Sequence, residues 1–504
     1  MPELPLDARL PVASQTAPKF APFIQALSPA NKGFIVLFLV ITAYFCLAGT
    51  RVPVAEGLGW DGKIYGKCAI DIRACLESRQ LSAYSLGRLF PSAVIHFLFV
   101  LTGTKADPAI VVMSFSVWNL VCIWSSLCLW LDCCRRFMFR PATILFGVSA
   151  LFFNFAYTRQ AFYAPVSTDY TAFAIAMLAL WLYAARRAAW SLALILPGGF
   201  TWPAATPVLA LIGVLKQRHN NSLAAPNKIT YKTPQLVSLV ALMLYGIAAT
   251  YFLFVDPRPQ ASGAAQIVFD TLPASILIAL GYVYWVVSRS EVVKALVNIR
   301  LHWVPAVVAC IMIAVYITAK IEVSSFAGAT NAMDTRQLLR ALTVSGLVYP
   351  ALFIIGHVVF LGPWIVIIVC TLPLVLRTAR HHIQPFYPVI MLFFILFLLP
   401  ESRGLTFFLP FVVLALCLTI DRTITEYTAN AYCLLALITS HFWLPMPKEN
   451  FGLLLDFPAQ TFFMHIGPWM GPSAYAIGFL ELLAACVVAA PLLKNIYASA
   501  NTGR

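Results

Sequence analysis

Four short stretches of the chain bring acids and arginines together with glycine or aromatic residues. "GLGWDGKIYGK" (Gly57 to Lys67) carries Asp61 between Trp60 and Gly62, with Tyr65 four residues on. "YSLGRLFPSAV" carries Arg88, and "YTRQAFYAPVSTD" carries Arg159, Tyr163 and Asp169. "PESRG" places Glu401 and Arg403 on either side of Ser402. A carboxylate in such a setting can accept a proton from a hydroxyl, provided it comes within hydrogen-bond reach. An arginine can hold a phosphate through paired N–H donors. Each residue also has a plain structural reading. "DG" is a common turn; Arg88 at an apolar edge can reach out to lipid headgroups; Asp169, with Thr168, can cap a helix; Glu401 and Arg403 can pair with each other. Trp60 and Tyr65 can stack on a sugar or sit in an interfacial aromatic belt.

The elements that must position these residues are membrane spans. The chain has 504 residues, of which 61% are hydrophobic and only 11% charged. Soluble chains are nearer half apolar and a quarter charged. Apolar runs of about 17–25 residues recur throughout, as spanning helices require. The expectation is an all-α polytopic bundle of about 12–14 spans. The spans fall near 33–50, 108–131, 141–157, 170–185, a hairpin over 190–215 turning at "PGGF", 237–255, 267–287, 303–319, 357–376, 385–399, 405–420, 429–444 and 475–493. Residues 1–32 form a tail, 33–494 a single transmembrane domain, 51–107 its long first loop, and 495–504 a second tail. The Pro-rich N-terminus carries no cleavage pattern of a signal peptide. No soluble domain separates from the rest.

Charge orients the spans. Two further apolar segments, 90–101 and 341–355, are read as lying on or dipping into one face without crossing. Then "CCRRFMFR", "AARRAA", "KQRHNN", "SRSEVVKALVNIR", "RTARHH", "DRT" and both termini share one side. That side holds 20 of the 34 Lys and Arg but six of the 20 acids, so the formal net charge of +14 resides there. Basic loops face the cytoplasm. Both termini are therefore read as cytoplasmic, and Asp61, Arg88, Arg159, Asp169, Asp334, Arg336, Glu401 and Arg403 as extracytoplasmic. The charge reports orientation and calls for no nucleic-acid partner.

"WDGKIYGKCA" after a first span resembles the acid-bearing first loop of the GT-C glycosyltransferases, a superfamily that includes protein O-mannosyltransferases and the lipid A aminoarabinose transferase. "YSLGRLFPSAV", "APVSTDYTAFAIAMLAL" and "PESRGLTFFLPFVVLAL" resemble the Arg-Pro element, the second acid at a span start and a later acid-x-Arg element. The resemblance covers residues 30–215 best, plus the Glu401 region. It implies a GT-C-like fold in a bacterial inner membrane. It implies transfer of a sugar from a polyprenyl phosphate donor to a glycan, lipid or protein acceptor on the outer face, with inversion. Asp61 would be the base, and Trp60, Tyr65, Arg88, Arg159, Tyr163, Asp169, Glu401 and Arg403 would bind substrate. Several relatives carry two adjacent acids in the first loop and Asp61 stands without one, which speaks against a metal site there. No cofactor is firm, with a divalent metal left open. The alternatives are a lipid-linked glycan polymerase or ligase, disfavoured because the long loop comes first and the late loops are poor in Arg, and a secondary transporter, for which no convincing internal repeat is found.

The remaining polar residues carry less. Asp334 and Arg336 lie in "NAMDTRQLLRALTV", read as an interfacial helix with Asp334 as its cap. His96, His357, His441 and His465 form no ligand spacing, and His381 and His382 belong to a basic loop. Glu481, inside the last span, is read as either functional or a hydrogen-bonded structural acid. Of the 12 cysteines, Cys68 and Cys75 lie in the first loop. They are read as free thiols in preference to a disulfide, which an extracytoplasmic loop would permit.

Overall fold

The computed structural model describes residues 20–59, 61–79, 81–215, 243–247, 265–289, 301–326, 347, 349–399, 401–446, 470 and 472–502. Among them every regular element is helical, and the lone β-bridge joins Leu215 to Leu301. This is the all-α bundle that the composition demands. Among the described residues six helices are long and apolar enough to cross a membrane: Pro29–Ala48, Pro108–Arg136, Trp303–Ser324, Trp364–His382, Ser402–Ile420 and Ala474–Ala498. The pair Pro141–Phe152 and Ala156–Tyr163, bent by 57°, together makes a seventh. Several other expected spans are shorter apolar helices of 10–17 residues. Within lipid, backbone groups must be satisfied internally, so short or broken helices depend on burial against their neighbours. The Asp169–Ala184 helix fits this, since nearly all its residues are buried.

Local chemistry starts the helices where the sequence breaks. Ser28 accepts a hydrogen bond from the Asn31 N–H and precedes Pro29. Asp107 does the same for Ile110 ahead of Pro108. Proline at the first helical position loses no hydrogen bond there. The 13-residue helix Phe90–Thr102 ends on Gly103 in the left-handed conformation. At 1.5 Å per residue it is about 20 Å long, short of a roughly 30 Å hydrocarbon core.

Two boundaries differ from expectation. The segment read as one span over 357–376 is divided. The Leu352–Leu361 helix stops at Gly362, which has φ +101°, and a new helix runs from Trp364 to His382. A backbone at that φ is open to glycine and closed to most side chains. The hairpin over 190–215 does not turn at "PGGF" either. Pro197, Gly198 and Gly199 lie in the Ile195–Gly199 helix, and the break comes between Phe200 and Ala204. The Val237–Val255 span falls mostly outside the described residues; the Ala341–Ile355 segment is described at 347 and 349–355, and its end belongs to the Leu352–Leu361 helix.

Since lipid tails are as apolar as leucine, close packing holds helices together within the bilayer. Gly147 lets the Pro141–Phe152 helix lie against the Trp130 ring; a Cβ there would stand 2.5 Å from that ring. Aromatic rings fill the interior: Tyr157 packs on Phe173, Tyr183 on Phe386, and Phe386 on Phe411. Glu481 is paired with His441 at 2.6 Å, both largely buried. That supplies the structural partner which the acid's position inside a span calls for.

Candidate active site

The site begins with the turn between the first span and Asp61. Ala55, Glu56, Gly57 and Gly59 all have positive φ, so the chain doubles back tightly after the Pro29–Ala48 helix. Two of these are not glycines, and left-handed geometry costs about 1–2 kcal/mol at each such residue. Packing must hold the turn in place. Val52 contributes to this by donating its N–H to the Tyr163 carbonyl.

Asp61 then opens the Gly62–Ile70 helix, but its side chain makes no cap hydrogen bond. Helix capping is thus not what the carboxylate does. Its Oδ2 lies 3.7 Å from Nη1 of Arg403, and the side chain is 58% exposed. Gly62 is a helical residue and not a turn residue, which corrects the expectation for "DG". A Cβ on Gly62 would come 2.8 Å from the Val166 Cβ and 2.9 Å from the Val166 carbonyl oxygen. Glycine is required so that the helix start can lie against the stretch of chain leading to Asp169. Gly66, about one turn further along, permits the same close approach against Leu58.

Asp169 starts the Asp169–Ala184 helix and is buried. Its position is fixed from the Pro108–Arg136 helix. Asn119 donates both amide hydrogens, to the carbonyls of Ala161 and Pro165, and Trp118 donates to Thr171 Oγ1. The charges acting on the Asp169 carboxylate are those of Arg403, Arg88, Glu401 and Asp61. Four residues read from three other stretches of sequence therefore share one electrostatic environment with it.

Arg403 joins them. Its Nη2 donates to Glu401 Oε1 at 2.9 Å while Nη1 faces Asp61. The intervening Ser402 is buried against His357, with 2.8 Å between Oγ and the imidazole Nδ1. Nε2 of His357 lies 2.9 Å from the Phe397 carbonyl and must donate to it, so Nδ1 accepts from Ser402. His357 thereby fixes the backbone between Glu401 and Arg403. Nothing in the sequence marks it for this role, because it stands 45 residues from Ser402.

Arg88 is held differently. Its guanidinium lies between two rings, 4.1 Å from the Tyr84 centroid and 3.9 Å from that of Trp202. Such a stack holds a cation without an acid. Trp202 comes from the break after "PGGF", tied to the Arg88 region by the Phe90 N–H donating to the Phe200 carbonyl. Neither Tyr84 nor Trp202 stood out in the sequence. An aromatic before a proline was the one available sign. Tyr65 is buried, and desolvation pushes its phenol above the ordinary range, with Arg88 pulling the other way. It remains a neutral donor at neutral pH.

Two expected members lie elsewhere. Arg159 packs on the Phe45 ring, and the groups acting on it are Tyr163, Tyr44 and Arg51. Neither Arg159 nor Tyr163 acts on the Asp169 carboxylate. Trp60, Asp334 and Arg336 lie outside the described residues. Among the described residues no group of three or more His, Cys, Asp or Glu is placed to hold a metal ion. Cys68 and Cys75 form a disulfide, against the reading as free thiols, and it links the Gly62–Ile70 helix to the Ile72–Glu77 helix. His96 Nδ1 lies 3.2 Å from the carbonyl oxygens of Ala69 and Ile70, and so caps that first helix.

The other end of the bundle carries a separate polar group. Asp132 accepts from Arg135, Arg136 and Trp181, and Asp421 accepts from the Arg140 N–H. Trp181 is twelve residues along the helix from Asp169, about 18 Å away. The acid–arginine cluster and the basic stretch around "CCRRFMFR" thus occupy opposite ends. The chain matches no family model, no curated protein and no solved structure.

Proposed function

We propose that the cluster transfers a sugar from a polyprenyl phosphate to an acceptor hydroxyl outside the cytoplasm. The observation that carries this reading is the gathering of Asp61, Asp169, Glu401, Arg88 and Arg403 at one end of an apolar bundle, opposite the basic loops. A transporter calls for charges near the bilayer midplane. A lipid-linked donor calls for them at the membrane edge, where its phosphate lies. The Cys68–Cys75 bond beside Asp61 supports an oxidising compartment for that end.

The residues divide the chemistry. Asp61 is the most exposed of the three carboxylates, open to an incoming acceptor. It takes the hydroxyl proton as the acceptor oxygen bonds to the anomeric carbon. The bond from that carbon to the phosphate oxygen breaks, and the electron pair leaves with the polyprenyl phosphate. Charge then grows on the phosphate, and a preoriented cation is worth most there. Arg88 suits this role better than Arg403, because its guanidinium rests on rings and no described acid pairs with it. Arg403, engaged by Glu401 and Asp61, positions the base. A single displacement inverts the anomeric centre and needs no second nucleophile.

The test uses the intact protein in liposomes with labelled polyprenyl phosphate sugars. Wild type should transfer label and Asp61→Asn should lose about 10²–10⁴-fold, the usual worth of a positioned base. No transfer by wild type from any donor, or equal transfer by the variant, sinks the proposal.

A further inference from the structure

Arg159 sits on a single π-helical turn, Ala156–Gln160, at the bend that follows the Pro141–Phe152 helix. Such turns are rare and are frequent at functional sites. The side chain is 6% exposed. Its guanidinium carbon stands 4.1 Å above the Phe45 ring, and its Nε has no hydrogen-bond partner. Among the described residues no carboxylate acts on it. The charge that acts on it is a second cation, Arg51, which sits on the carbonyl of the same Phe45. Arg51 donates through Nη1 and Nη2 to the carbonyls of Phe45, Cys46 and Phe162, which carry no counter-charge. It thus closes the C-terminal end of the Pro29–Ala48 helix.

An arginine does not shed its proton. A buried charge without a partner is costly, and far costlier than a paired one. Arg159 and Arg51 both lie against Phe45, and among the described residues no acid acts on Arg159, so the pair is suited to an anion. The same helix end displays Tyr44 and Leu47, 59% and 74% exposed, on an apolar surface. An exposed tyrosine at a span end is the usual mark of the headgroup level. An anion delivered there is a phosphate on a lipid.

We propose that Arg159 and Arg51 form a phosphate site for a membrane-lipid headgroup, separate from the acid–arginine cluster. Its separateness is structural. The chain from Ala161 to Pro165, clamped by Asn119, runs between Arg159 and Asp169. The charges acting on Asp169 do not include Arg159. The inference needs only the membrane setting and stands whether or not the cluster transfers sugar.

The full-length protein in detergent is titrated with phosphatidylglycerol, with diacylglycerol of the same tails and with inorganic phosphate, and binding is read by native mass spectrometry and thermal unfolding. Phosphatidylglycerol should bind wild type and diacylglycerol should not. Arg159→Met should weaken binding on the order of tenfold or more, the worth of a charged hydrogen bond. Arg159→Lys should fall between, since it keeps charge but loses the planar fork. Asp61→Asn should bind as wild type does. A response to inorganic phosphate alone, lost in Arg159→Met, would support the site with free phosphate as its source. Equal binding of phosphatidylglycerol by wild type and Arg159→Met, or equal binding of diacylglycerol and phosphatidylglycerol by wild type, overturns the inference. Where Arg159→Met does not fold, photo-crosslinking of wild type with a headgroup-labelled phosphatidylglycerol decides. Label on residues 44–51 or 156–163 supports the site, and label confined to other segments refutes it.

Discussion

Replacing Gly62 by alanine adds one methyl group beside the proposed base. The new Cβ would stand 2.8 Å from the Val166 Cβ and 2.9 Å from the Val166 carbonyl oxygen. Carbon atoms pack best at about 3.5–4.0 Å, so the helix start must retreat by roughly 0.7–1.2 Å or the Val166 backbone must yield. A different rotamer gives no relief, because Cβ and carbonyl are fixed by the backbone. For the same reason Val166→Ala does not rescue the variant. Asp61 and Arg403 are already 3.7 Å apart, and such a retreat takes them past the limit of an ion pair. Overpacking costs about 1–3 kcal/mol. Alanine returns up to about 1 kcal/mol of helix propensity over glycine. The expected net is a loss of stability up to about 2 kcal/mol. A misplacement of about 1 Å at a reacting group costs on the order of 10²-fold in rate. Thermal unfolding and the donor-transfer assay, run on one preparation, read both quantities. A variant that is stabilised and transfers sugar at the wild-type rate would refute the reasoning, leaving Gly62 an ordinary helix residue.

Two further predictions concern buried polar pairs. His357→Ala strands the Phe397 carbonyl and leaves Ser402 only the Gly356 carbonyl, which should cost about 2–4 kcal/mol with the cavity it leaves. It should lower turnover through Arg403 more than donor affinity, as a split of kcat from KM would read; wild-type stability and turnover would rule out the anchoring role. Glu481→Leu removes one partner of the buried His441 pair. Losing that buried partner should destabilise the fold by about 1–3 kcal/mol, whereas His441→Leu combined with Glu481→Leu should recover part of it. An additive double variant would argue against a coupled pair.

The membrane class and all-helical architecture were legible in the sequence because they rest on composition and run length, which need no neighbours. Asp61, Arg88, Asp169, Glu401 and Arg403 could be singled out too, as polar residues beside apolar runs, although each also carried a plain structural reading there. Their division of labour was not legible. That Arg403 bridges two acids while Arg88 rests on rings depends on Tyr84 and Trp202 meeting across more than a hundred residues of chain. Arg159 and Tyr163 looked equivalent to the others because charge counting gives a side of the membrane and no lateral position. The Cys68–Cys75 pairing followed from two short helices folding back on each other, which spacing alone does not impose. Composition and pattern thus determined the solvent and the kinds of group at the site. Only packing decided which of those groups touch, because contact between helices depends on close approaches such as Gly62 against Val166 that one dimension does not contain.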